Sequence, residues 1–206
     1  PELAGHADRA LTLFEPLTPV VPTNVAARIA LLHLPWSRGQ LDSALAEGGK
    51  AVAAGPARAD AYFNLGVAYE AKEDWPRASA AYQAATQRNA KDFQSFLNWS
   101  RTLYNQDQYA DSLSVAIQAS ALRPDDPQPY RWQAQSQLAL GDTDGALSNL
   151  AEALRLRTDD AEALALTSRA YLVRGDTQTA LQYAHQSIEA SKNNPAGTMA
   201  LAEHQV

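Results

Sequence analysis

Large apolar and small residues recur along the chain in a helical spacing that restarts every 34 residues. In the segment that begins at Ala59, Tyr62, Leu65 and Tyr69 take the fourth, seventh and eleventh places. That i, i+3, i+7 pattern puts them on one face of a helix. The fourth place carries Arg28, Tyr62, Phe96, Tyr130 and Leu164 in successive segments, mostly large and apolar. The eighth holds Leu32, Gly66, Ser100, Ala134 and Ser168, small in four of five. The twentieth holds Ala44, Ala78, Ser112, Ala146 and Ala180, and the twenty-seventh Ala51, Ala85, Ala119, Ala153 and Ser187, small throughout. Two antiparallel helices approach closely only where a small residue leaves room for the neighbour's bulk. The pattern therefore predicts five tandem helix pairs, 25–58, 59–92, 93–126, 127–160 and 161–194, with no insertion between them.

The turn residues keep the same period. Gly39, Gly141 and Gly175 stand at the fifteenth place, where a first helix needs a left-handed residue to stop. Asp142-Thr143 and Asp176-Thr177 follow as caps for second helices, and Trp75-Pro76 offers a proline in a first turn. Pro56 and Pro124 close second helices, and Asp125-Asp126 and Asp159-Asp160 cap the next first helices. Caps rather than calcium ligands are the expected role of these acidic pairs, because they recur with the period and lack an EF-hand loop. With Ala90 in place of the closing proline, the second helix of 59–92 is expected to run longer. Pro35 predicts a bent or shortened helix near His33 to Ser37. Carried backward, the phase makes residues 1–24 the second half of a degenerate repeat. Carried forward, 195–206 reads as a capping helix or the start of a further repeat, and the chain as a piece of a longer solenoid.

This arrangement, Tyr62–Leu65–Gly66–Tyr69 followed by Ala78 and Ala85 and its counterparts downstream, resembles the tetratricopeptide repeat across nearly the whole chain. The resemblance implies an all-α fold, a right-handed α-solenoid of antiparallel helix pairs. It also implies a concave groove lined by the first helices, in which a peptide or protein partner binds. Carried over place by place, the groove residues include Asn64 in one repeat and Asn98, Arg101, Tyr104 and Asn105 in the next. Gln128, Arg131, Trp132 and Gln135 follow in the fourth repeat and Arg169 in the fifth. In the family, asparagine at the sixth place, here Asn64 and Asn98, grips the backbone of an extended peptide, since an amide both donates and accepts. Arg101, Arg131 and Arg169 are forks suited to an anionic segment, and Tyr104 and Trp132 give flat apolar contact. The places that clamp a terminal carboxylate in chaperone-binding relatives hold Phe63, Val67, Asn98, Gln128 and Trp132, so that particular mode is not expected.

Composition narrows the reading further. Alanine supplies 41 of 206 residues and valine plus isoleucine only 11, which favours helix over sheet. A net charge of −6 disfavours a nucleic-acid partner, and with it an RNA-binding pentatricopeptide-like reading. The chain has no cysteine, hence no disulfide, thiolate ligand or thiol nucleophile; that absence suits a bacterial envelope. No apolar run reaches the length of a membrane span. The four histidines share no ligand spacing, so neither a metal nor another cofactor is expected. Glu47-Gly48-Gly49-Lys50 lacks the spacing of a phosphate loop, and Asn98-Trp99-Ser100, formally a glycosylation sequon, falls mid-helix. No nucleophile elbow or dinucleotide fingerprint appears, so catalysis is not expected. The sequence thus points to a binding scaffold, with self-association through the open ends, or a recruiting arm of a larger protein, as alternatives.

Overall fold

A computed structural model of the chain describes residues 59–193, together with Asp42, Leu45 and Ala46. The expected elements in 1–24 and 195–206, the helix break at His33 to Ser37 and the caps at Gly39 and Pro56 lie outside the described residues. Among the described residues there are helices and no strands: α1 Ala59–Glu70, α2 Trp75–Arg88, α3 Phe93–Tyr104 and α4 Tyr109–Leu122. They continue as α5 Pro127–Ala139, α6 Thr143–Leu156, α7 Ala161–Val173 and α8 Thr177–Asn193. The chain divides into two compact units, Pro1–Ser95 and Phe96–Val206.

In the first unit α1 and α2 pack through the close approach that the small eighth place permits. Tyr82 of α2 is wholly buried, with its ring 5.7 Å from that of Phe63 and tilted by 56°. A Cβ added at Gly66 would stand 2.5 Å from that tyrosine ring, so only glycine fits. The buried hydroxyl is satisfied by donating to the Glu70 carboxylate at 2.7 Å. Arg88 closes the outer edge of the pair, lying 3.9 Å over the Tyr62 ring and donating to its hydroxyl. Lys72 forms an ion pair with Asp42 on the surface.

In the second unit the small places do more than make space. Ser100 of α3 donates to the Ser112 carbonyl of α4 at 3.0 Å, and Ser112 returns a bond to the Ser100 carbonyl at 2.9 Å. Ser136 of α5 then donates to the Ser112 hydroxyl at 2.9 Å, and in the last pair Ser168 donates to the Ala180 carbonyl. All of these serines are buried, so each hydroxyl pairs across a helix contact where an unpaired one would be costly. The apolar core of the unit gathers Ala134 from α5, Ala146, Leu150 and Ala153 from α6, and Ala163, Leu166 and Ala170 from α7. Tyr130, Leu138, Leu147 and Leu154 pack around it.

The connections follow the expected caps. Asp74, Asp142 and Asp176 accept the amides of Arg77, Gly145 and Thr179 at the starts of α2, α6 and α8. Asp126 and Asp160 do the same for α5 and α7. The fifteenth place is left-handed in every described repeat: Gly141 and Gly175 have φ of 83° and 81°, and Glu73 and Asp107 have 58° and 59°. One expectation fails. α2 stops at Arg88 despite Ala90, the same 14 residues as α4 and α6. Asn89 turns extended there, its side chain accepting the Lys91 amide at 3.1 Å, so an asparagine ends the helix without proline.

Candidate partner-binding face

The sites read from the sequence fall on α1 in the first unit and on α3, α5 and α7 in the second. Asn64 is half-buried on α1. In the second unit Trp132 and Tyr104 meet, their ring centroids 5.8 Å apart and tilted by 58°. Tyr104 also meets Tyr109, the first residue of α4, at 5.1 Å. These three rings, each half-buried, form one aromatic cluster. Tyr109 was not among the residues the sequence singled out. It begins a second helix, outside the places that carry the groove. The tight turn at Asp107 folds it back onto the ring five residues before it.

The charges around this cluster are unequal in their availability. Tyr109 donates to the Asp107 carboxylate, and that bond, with partial desolvation, holds its phenol above the ordinary range for tyrosine. The Arg169 guanidinium acts on the same phenol in the opposite direction, which places its charge within reach of the aromatic cluster. Arg169 is exposed and makes no hydrogen bond or ion pair among the described residues. Arg131 is different. Its Nη1 lies 3.0 Å from Asp160 Oδ1 and 2.5 Å from Glu162 Oε2, with its side chain only 16% exposed. Two carboxylates of the same chain already take the fork that the sequence suggested for an incoming anion. Its role is to hold α5 to the start of α7.

The amides also separate. Asn98 is 2% exposed, and its Nδ2 has no hydrogen-bond partner among the described residues. Gln135 likewise leaves its Oε1 buried and unmatched. Burial closes Asn98 to the glycosylation that its tripeptide formally allows. Gln128 is half-buried at the start of α5, Arg101 half-buried in the last turn of α3, and Asn105 exposed just beyond it. Among the described residues no group of three or more His, Asp or Glu side chains is placed to hold a metal ion. No helix among them is long and apolar enough to cross a membrane.

Paired helices of 12 to 17 residues, joined by turns with a left-handed fifteenth place and seamed by small residues, define an all-α solenoid of helix-pair repeats. The sequence profile of the tetratricopeptide repeat matches residues 29–93, 97–147 and 133–195, and the chain belongs to that family. No curated protein matches it in sequence. Several solved structures share the fold. MamA from Desulfovibrio magneticus RS-1 is 14% identical with a TM-score of 0.71, covering 85% of this chain and 99% of its own. YrrB, described as a TPR protein with an unusual peptide-binding site, is 21% identical with a TM-score of 0.66, covering 87% and 92%. The Cut9–Hcn1 hetero-tetramer of the APC/C is 15% identical with a TM-score of 0.70, covering 92% of this chain and 38% of that one. Proteins of this family generally act in protein–protein interaction.

Proposed function

We propose that the chain is a non-catalytic scaffold that binds an extended segment of a partner protein along the face of its first helices. The observation that carries this reading is the half-buried Tyr104–Tyr109–Trp132 cluster, with Arg169, exposed and unpaired among the described residues, on α7 of the same unit. An apolar side chain of the partner covers the rings, and an acidic one meets Arg169. The unmatched Asn98 Nδ2 and Gln135 Oε1 supply a donor and an acceptor for the peptide backbone. Asn98 comes within reach only if a neighbouring side chain shifts on binding. In the second unit Arg101, Asn105 and Gln128 extend the same set of first-helix places, and in the first unit Asn64 holds the sixth place that Asn98 holds one repeat on; the repeat frame of five 34-residue units spans 25–194. The likeness to YrrB, whose structure is described by its peptide-binding site, supports peptide recognition in this fold.

A displayed library of random peptides, selected on the immobilised chain, tests this. Enrichment of an aromatic or aliphatic residue close to Asp or Glu is expected. Trp132→Ala with Tyr104→Ala should abolish the enrichment, and Arg169→Gln should remove only the acidic preference. Selection that survives the ring substitutions would rule the face out.

A further inference from the structure

The end of the last repeat repeats a face that is filled one repeat earlier. In 127–160, Leu138, Leu147 and Leu154 take the twelfth, twenty-first and twenty-eighth places. All three pack half-buried against the core cluster to which α7 contributes Ala163, Leu166 and Ala170. Thirty-four residues on, the same places hold Leu172, Leu181 and Ile188, exposed by 54%, 56% and 54%. Where the preceding repeat turns at Arg157–Asp160 to bring α7 onto α6, α8 stays helical to Asn193. On α8 Ala184 and the exposed His185 lie between Leu181 and Ile188, Gln178 stands one turn before them, and the Glu189–Lys192 ion pair borders the face beyond Ile188, an apolar centre with a polar rim.

A matching stripe stands on the outside of α4. Ser114, Ile117 and Ala121 are exposed, Ile117 by 50%. Their spacing, small residue, large apolar residue three on and small residue four further, is that of Ala163, Leu166 and Ala170. We propose that a second copy of this chain presents α4 to the Leu172–Leu181–Ile188 face of the first, standing where α7 stands in the preceding repeat. The two surfaces differ, so the contact is head-to-side and leaves one of each free, and copies add in a row.

Sedimentation of the 206-residue chain over a range of concentrations tests the contact. The average mass should rise from one chain to two and beyond. Ile117→Asp alone, and Leu181→Asp with Ile188→Asp, should each stay monomeric with unchanged helicity, since all three side chains are exposed. Mixing the two variants should restore a dimer that grows no further, because one keeps the face and the other the stripe. A native chain monomeric at every concentration overturns the proposal, whether residues beyond Asn193 or another protein then cover the face. Association that survives Ile117→Asp overturns it equally. Tyr104→Ala and Trp132→Ala should leave the mass unchanged, and Ile117→Asp should leave peptide selection unchanged, so this contact and the peptide face fail separately.

Discussion

Glu73 and Gly66 show how differently a single side chain is judged by its backbone and by its neighbours. Glu73 holds φ of 58°, a left-handed conformation that costs a residue with a Cβ roughly 1–2 kcal/mol, while glycine there gives back about 0.5–1 kcal/mol in lost chain freedom. Glu73→Gly is therefore expected to stabilise the chain by about 0.5–1 kcal/mol in urea unfolding. Gly66→Ala should do the reverse by about 1–3 kcal/mol, since its new methyl would lie within 2.8 Å of three atoms of the immobile Tyr82 ring. Equal midpoints for the two variants would contradict both arguments. The period made Gly66 legible, because the eighth place must be small, and it located the left-handed place at Gly141 and Gly175. It put Glu73 and Asp107 at the same fifteenth place, but with no glycine there the left-handed conformation was not read for them, although aspartate adopts it more readily than most residues. Arg131 was misleading for a related reason: its partner Asp160 lies 29 residues away and already had a sufficient explanation as a cap.

At the scale of the helix, the aspartate caps read from the sequence mark where α5, α6, α7 and α8 begin, while the end of α2 was not read correctly. The aspartates before α2, α5, α6, α7 and α8 each satisfy an amide that the helix itself cannot. The exception is α4, where Gln108 has φ −86° and ψ 60°, close to the −84° and 76° of Asp142, yet forms no side-chain cap. Gln108→Asp places an acceptor in a backbone already shaped for it, and should raise stability by about 0.5–1 kcal/mol in thermal unfolding. An unchanged melting temperature would mean the amides of that turn are already met. At α8, donation by the Thr179 hydroxyl and amide holds the Asp176 carboxyl below the usual range. A depressed folded value means the cap's contribution is complete above the unfolded value of about 3.9 and is lost as pH falls through the lower, folded one. Amide exchange in the first turn of α8 should therefore accelerate between about pH 4 and pH 2 relative to Asp176→Asn, which has no such titration. The serine bonds between helices were legible only as small volumes; that a hydroxyl meets a carbonyl across the seam depends on rotation about the helix axis, which the period does not specify.

Over the molecule as a whole, a repeat array is held by contacts between neighbours, so its cooperativity depends on how firmly each repeat grips the next. In the second unit the Arg131–Asp160–Glu162 cluster makes that grip polar as well as apolar, because Asp160 both starts α7 and accepts from α5. Asp160 is 4% exposed, and its Oδ2 has no partner among the described residues, so the arginine is what compensates its burial. Arg131→Met keeps the length of the side chain and removes its charge, leaving a buried carboxylate that retains only the Ala163 amide. A loss of about 3 kcal/mol is expected, the order seen when one partner of a buried pair is removed. Unfolding should also become less cooperative, with α7 and α8 exchanging their amides before α5 and α6. Adding Asp160→Asn should recover part of the loss, since a neutral amide still caps α7 and no longer needs a counter-charge. If Arg131→Met instead left stability intact while weakening peptide selection, the arginine would belong to the partner-binding face after all, and the coupling between repeats would rest on the Ala163–Leu166–Ala170 core alone.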